Sequence, residues 1–381
     1  MNTTKSIIIY TAIALMTTSA LASCDKAGLS AGNSDMIKFG ANTVIINGDT
    51  KSGPITDGTL PDGTSFGVMG YCLSQAGPDN PTLNNTSGNI PWQQKKTLCT
   101  PTIFYDNEVT YIDGTFMYSP MKTWYEQPDF LYSFFAYYPK ENFTVLSAQD
   151  DFGAPSVKFS IPFDGTTAND TTKVLDYDKV PDAMAAQEID ITKGSGIVTL
   201  NFMHLMSGLN FQVNNYNAAE DENGNLAAGK PVTIHSLKLR GKFYKSVNIY
   251  FDNRYDYPDE VFYGTYELLG DSDDDDVTVE ALTSYERIGD KTLLLVSNLN
   301  KTGIEDGYLG DLKLVIEYTF GEPGNAGRKI QHISRPDNFQ PSGGTIYTAQ
   351  LNFIGDAFVL NFIVDNDSRW EDGGDSEITF G

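Results

Sequence analysis

The chain has 381 residues, enough for two domains of ordinary size, and carries 50 acidic against 26 basic side chains, a formal net charge of −24. Charge of that sign repels the phosphates of nucleic acid and keeps an exported protein soluble, so nucleic-acid binding is excluded as a function. Its 21 Tyr and 22 Phe suit half-buried pleated surfaces better than helix faces.

At the start of the chain, residues 1–23 hold one charged side chain, Lys5, then an apolar stretch over 7–15 and a small-residue run over 17–23. This is the layout of a secretion signal, and its apolar core is shorter than the roughly 20 residues that a membrane-spanning helix needs. Leu21-Ala22-Ser23-Cys24 reads as a lipobox, in which small residues fit the signal peptidase and the cysteine thiol receives a diacylglyceryl group. Cys24 is therefore expected to become a lipidated N-terminus, held at a membrane by acyl chains whose buried methylenes contribute about 0.8 kcal/mol each. With Cys24 acylated, Cys72 and Cys99 remain. In an oxidising periplasm they either form a disulfide, worth about 3 kcal/mol, or sit as two separately buried thiols.

Period-two alternation then recurs along the chain. Val157, Phe159, Ile161 and Phe163 alternate with Lys158, Ser160 and Pro162, and the proline predicts an edge strand. Val198, Leu200 and Phe202 repeat the pattern, as do Leu209, Phe211 and Val213, then Leu314, Ile316, Tyr318 and Phe320, and finally Phe358, Leu360, Phe362 and Val364. Turn-rich stretches at 77–89, 164–172, 214–229, 321–327 and 365–375 lie between the strands. No long amphipathic helical pattern is present, and the best short helix is predicted over 182–188. Many short strands joined by Gly, Asn and Asp turns predict an all-β chain of two β-sandwiches in tandem. The signal segment 1–23 would precede domains at 24–180 and 190–381, divided within the polar stretch 176–196.

Motifs that resemble catalytic or metal sites fail on context. Gly63-Thr64-Ser65-Phe66-Gly67 has nucleophile-elbow spacing, but a turn precedes it and a strand follows, where the elbow needs a strand and then a helix. His204, His235 and His332 lack a second ligand at metal-site spacing, and His204 reads as a hydrogen-bonded structural histidine. Asp271, Asp273, Asp274, Asp275 and Asp276 invite a calcium reading. Counted as an EF-hand from Asp271, however, the run puts Asp276 where glycine is needed and Leu282 where a glutamate is needed. Asp221-Glu222-Asn223-Gly224-Asn225 fails the same count. The aromatics Phe243, Tyr244, Tyr250, Phe251, Tyr255, Tyr257, Phe262, Tyr263 and Tyr266 either pack a sandwich core or stack on sugar rings, and the core is the favoured reading. No catalytic residue, metal site or cofactor is expected.

Several segments follow one another along the chain in a set order. They are Phe66-Gly67-Val68-Met69-Gly70-Tyr71, the strand from Tyr105 to Tyr111, Tyr132-Ser133-Phe134-Phe135-Ala136-Tyr137-Tyr138-Pro139, Asp182-Ala183-Met184-Ala185-Ala186, and the run from Val198 to Phe211. Trp370 and an Ile378-containing last segment close the chain. On these residues the chain resembles the fimbrillin family, the Mfa-like type V pilus subunits of Gram-negative gut and oral bacteria. The resemblance implies two transthyretin-like β-sandwich domains in a structural pilus subunit that supports adhesion at the outer-membrane surface. Its partners would be other pilus subunits, joined by strand addition, with lipid at Cys24 holding it to the outer membrane.

It also implies that a protease removes the first strand, here within 36–47, after a basic residue. The family commonly carries Thr-Arg at that cut, whereas this chain has Thr50-Lys51-Ser52 and its first arginine is Arg240. Cleavage is therefore expected between Lys51 and Ser52, the alternative being an uncut anchor subunit. The donated strand is expected at 358–364 or 376–380. A reading from another class is a monomeric surface lipoprotein that binds glycan or another ligand through its loops.

Overall fold

Alternating apolar and polar side chains, punctuated by Gly, Asn and Asp, form strands throughout the part of the chain that the computed structural model describes. This part comprises residues 35–43, 59–74, 103–125, 130–148, 155–162, 174–175, 179–193, 196–251, 254–256, 261–270, 276–282, 284–296, 312–321, 327–334, 341 and 343–364. The strands of the first half are β1 (Lys38–Asn42), β2 (Ser65–Ser74), β3 (Phe104–Ile112), β4 (Thr115–Met117), β5 (Phe130–Tyr138), β6 (Phe143–Ser147), β7 (Ser156–Ser160), β8 (Val174–Leu175), β9 (Met184–Ile191), β10 (Ile197–Asn201) and β11 (Met203–His204). Those of the second half are β12 (Met206–Asn215), β13 (Ala218–Glu220), β14 (Leu226–Ala228), β15 (Val232–Tyr244), β16 (Ser246–Tyr250), β17 (Arg254–Asp256), β18 (Val261–Leu269), β19 (Val277–Val279), β20 (Glu286–Val296), β21 (Lys313–Phe320), β22 (Lys329–Ser334), β23 (Thr345–Ile354) and β24 (Ala357–Val364). Among the described residues helical structure is confined to 3-10 turns, of which Lys140–Asn142 is described in full. The chain is all-β.

The first half builds a six-stranded sheet in the order β11-β9-β5-β2-β3-β4. Its central strand, Phe-Leu-Tyr-Ser-Phe-Phe-Ala-Tyr-Tyr in β5, is apolar on both faces because both faces are covered. Phe134 and Ala136 face a core shared with Phe39, Phe66, Phe104 and Phe202, while Phe135 and Tyr137 face a second core with Phe143, Phe159 and Phe251. Gly67 in β2 is required by close packing, since any side chain there would run into the Tyr137 ring. The second half stacks the sheet β20-β12-β23-β24 on the sheet β22-β21-β15-β18-β8, to which β19 also adds through β15. Leu209, Phe211, Leu239, Leu314, Leu351 and Phe353 fill the space between them.

Two expectations from the sequence are corrected. Residues 182–188 are not helical: Met184–Ile191 is β9, hydrogen-bonded between β5 and β11, with Met184 and Ala186 buried. Pairing on both sides outweighs the helical preference of the Ala-Met-Gln-Glu composition. Nor is β7 an edge, because it lies between β6 and β16 in the sheet β17-β16-β7-β6. The strand ends at Ser160, so Pro162 falls outside the ladder and removes no bond from it. Through β7 on β16 and β8 on β18, segments of the first half join sheets of the second.

Candidate functional site

The first strand occupies a seat of its own. In β1 and its flanks Ile37, Phe39, Ala41 and Thr43 point inward, while Lys38, Gly40 and Asn42 point away from the core. β1 forms a two-stranded parallel sheet with β10, in the register Lys38 to Ile197, Phe39 to Val198, Gly40 to Thr199, Ala41 to Leu200 and Asn42 to Asn201. Beneath it the Phe39 ring, 5% exposed, meets Phe104 at 5.4 Å, Tyr118 at 5.7 Å, Phe134 at 5.7 Å and Phe66 at 6.1 Å, each close to edge-to-face. Such pairings favour aromatic quadrupoles and add to the burial of the ring. Ile37 is fully buried beside it. Burying these two side chains contributes about 1.5–3 kcal/mol each.

Backbone bonds clamp the strand at both ends. Ile37 N–H donates to the Lys122 carbonyl at 3.0 Å, and Trp124 N–H donates to the Asp35 carbonyl at 2.8 Å. Phe202 N–H donates to the Asn42 carbonyl at 2.9 Å, and Asn42 Nδ2 donates to Asn201 Oδ1 at 3.2 Å. The Tyr118 hydroxyl donates to the Ile37 carbonyl at 2.7 Å, and burial pushes its pKa above the ordinary phenol value. An exposed ion pair, Lys193 Nζ to Asp35 Oδ1 at 2.9 Å, closes the entry. A Cβ at Gly40 would lie 3.3 Å from Cγ2 of Ile197, an exposed side chain that would have to shift by a few tenths of an ångström. Removing β1 would bare the β10 edge and an aromatic floor together.

The other sequence candidates are structural. Ser65 opens β2, with its Oγ donating to Glu108 Oε1 at 2.7 Å, and a strand follows it rather than a helix. His204 and Asp182 are buried together, Nδ1 2.8 Å from Oδ2. His235 has Nδ1 at 2.8 Å from Asp276 Oδ2 and Nε2 at 2.7 Å from Thr319 Oγ1, so neither ring nitrogen faces a reacting group. His332 is exposed on β22. Asp221 closes the β13–β14 turn: its Oδ1 accepts from the backbone of Asn223 and Asn225, which holds the carboxyl below its usual range. Of the aromatic stretch, Phe243, Tyr244, Phe251 and Tyr266 are core residues. Cys72 is half-buried in β2. Among the described residues no group of three or more His, Cys, Asp or Glu could hold a metal ion. Cys24, Lys51, Ser52, Cys99, residues 271–275 and residues 376–380 lie outside the described residues.

Strand β24 contains residues 358–364, one of the two candidate donors, and pairs along its whole length with β23 of the same chain, burying Phe358 and Phe362. The sequence showed the strand character of 36–39 but not its seat. Tyr118, Lys122, Trp124 and β10 are distant in the chain, and no local pattern links them to it.

The chain is all-β, and its first described strand lies in a groove floored by aromatic rings and, among the described strands, is paired only with β10. Residues 57–355 match the Fimbrillin-like family, and the chain belongs to that family. It is similar to the fimbrium subunit Fim1C of Phocaeicola vulgatus, with 25% identity over 404 residues, covering 96% of this chain and 97% of the relative. The fold is similar to the crystal structure of a fimbrial protein from Bacteroides vulgatus, with a TM-score of 0.59 and 19% identity, covering 88% of this chain and all of that one.

Proposed function

We propose that the chain is a structural subunit of a surface fimbrium, exported as a lipoprotein through Cys24 and cut between Lys51 and Ser52. It then joins to other subunits by strand addition. The observation that carries this reading is the seat of β1: a short strand, parallel to β10, with apolar side chains in pockets and its backbone clamped at each end. An incoming strand gains affinity from backbone pairing and specificity from alternate side-chain pockets, and this groove offers both. Membership of the fimbrillin-like family and the likeness to a fimbrium subunit support it. The cut leaves β1 without a covalent link to the rest of the subunit, so a second strand can displace it. Because β24 is paired with β23 within the chain, this reading takes residues 376–380 rather than 358–364 as the donor. The tandem division at 24–180 and 190–381 belongs to the same reading. Catalysis has no place in it, since the buried His204–Asp182 pair and the His235 pair serve packing.

The test is isolation of the protein from the cell surface, run without heating on a denaturing gel. A subunit joined by strand addition gives a ladder of multiples that collapses to one band on heating. A single monomer band from cells making the wild-type chain contradicts the proposal. Cys24→Ala should abolish processing by the lipoprotein peptidase and empty the surface fraction.

A further inference from the structure

The sheet β20-β12-β23-β24 presses one face onto the core and turns the other outward. Register sets Arg287, Gln212, Gln350 and Asn361 side by side across the outer face, one from each strand, because residues opposite each other in a sheet share a face. At the usual strand spacing the row is about 14 Å long. All four residues are exposed or half-buried. Asn210, Asn214 and Asn352 adjoin the row, and none of these outward positions carries a carboxylate, in a chain of formal net charge −24.

Two tyrosines form a corner beside the row. Tyr285 precedes β20 and reaches across β12, its hydroxyl donating to Asn352 Oδ1 on β23 at 2.6 Å. With that proton committed, the Tyr216 hydroxyl donates to the Tyr285 oxygen at 3.1 Å, and the two rings meet at 77° with centroids 6.4 Å apart. Tyr216 is 47% exposed, yet its backbone is fixed. Its N–H donates to the Phe353 carbonyl at 2.9 Å, and Asn217 exchanges bonds of 3.1 and 2.7 Å with the backbone of Gly355. On β12, opposite Asn352, lies Asn214, which is 6% exposed and whose Oδ1 has no hydrogen-bond partner among the described residues.

We propose that this face binds a neutral oligosaccharide, with one sugar ring in the corner between Tyr216 and Tyr285 and the hydroxyls of its neighbours on Gln212, Gln350 and Asn361. Sugar hydroxyls both donate and accept, as amides do, and the C–H face of a pyranose packs against an aromatic ring. The Asn214 oxygen gives a hydroxyl at the corner a buried acceptor, which is costly to leave unpaired. A protein partner would call for an apolar centre, whereas here the centre is amide and the exposed apolar chains, Val359 and Ile363, lie on the edge strand β24. An acidic glycan is disfavoured by the charge of the chain, and Arg287 is already engaged, its Nη2 donating to Asn210 Oδ1 at 3.1 Å. Strands hold most of these side chains, so little ordering is needed on binding. The inference does not depend on strand addition, since all four strands follow the proposed cut in sequence.

The test applies the full chain to an array of neutral gluco-, manno- and galacto-oligosaccharides and sialylated galacto-oligosaccharides, and titrates the best neutral binder by calorimetry. The expected result is retention on a neutral oligosaccharide, with weaker binding of the sialylated ones. Tyr216→Ala and Gln212→Ala should each raise the Kd about tenfold or more, Tyr216→Phe should keep most of the affinity, and Tyr105→Ala, at an exposed tyrosine on β3, should leave it unchanged. Thermal unfolding of each variant, expected to match the wild type, separates lost binding from lost folding. No retention on any neutral oligosaccharide overturns the proposal, as does binding that survives both Tyr216→Ala and Gln212→Ala. Tighter binding of the sialylated oligosaccharides overturns the neutral assignment. Tyr216→Ala should leave the polymer ladder as it is in the wild type, so failure at this face and failure of the fimbrial reading are told apart.

Discussion

At the residue scale the groove is organised by Phe39, whose ring is enclosed by four other aromatics contributed by β2, β3, β5 and the loop after β4. Truncating it leaves a cavity that rigid neighbouring rings cannot close. Phe39→Ala should therefore lower the stability of the uncut chain by about 3–5 kcal/mol, read as a shift in the urea midpoint. A shift no larger than that of an exposed substitution such as Tyr105→Ala would show that the strand is not seated as described. The buried phenols add a pH signature. Burial raises the pKa values of Tyr118, Tyr132, Tyr137, Tyr138 and Tyr266, with Asp106 adding to the effect at Tyr137. Tyr285 is pushed up to about 12 by burial and by the Tyr216 hydroxyl. A phenol whose folded pKa lies above its unfolded value favours the folded state fully below about pH 10, and that contribution is lost as pH rises further. For Tyr285 the loss spans the interval up to about pH 12. Phenolate absorbance followed together with unfolding should show these tyrosines ionising as the chain unfolds. Ionisation of all 21 tyrosines near pH 10 with the fold intact would contradict the packing.

At the element scale, period-two alternation made most strands legible, because one face of each is buried and the other is not. The segments around Phe159, Leu200, Phe211, Ile316 and Phe362 all lie on β-strands. Pairing partners were not legible, since register is set by contacts between residues far apart in the chain. Thus β1 finds β10 across more of the sequence than any local motif spans, and β7 joins β16 rather than forming an edge. Residues 182–188 misled for the related reason that their composition favours helix while their position between two strands does not permit one. Of the candidate site, the strand character of 36–39 was visible and the aromatic floor was not. The buried face of β1 and its flanks gives a test at this scale. Ile37→Ala empties a fully buried seat and should cost about 2–5 kcal/mol, loosening β1 first. Hydrogen exchange should report this as faster exchange at Phe39 and Ala41, with β23 unchanged. Uniformly faster exchange across both cores would contradict a separately seated strand.

At the scale of the whole molecule, the two cores are unequal in kind. The second spans sheets from both halves of the chain, whereas the first is completed by one short strand near the start of the described chain. Under the strand-addition reading proposed above, that arrangement would let the plug be exchanged while most of the β-structure stays folded. The proposed cut at Lys51-Ser52 lies between β1 and β2, where scission separates the plug without interrupting any described sheet. Lys51→Gln should accordingly leave folded monomers at the surface and remove the polymer ladder. The central claim, that β1 is removed before subunits join, is tested most directly by sequencing the N-terminus of subunits taken from the heat-sensitive polymers. A start at Ser52 is predicted. Polymers made entirely of chains that begin at Cys24 would contradict it.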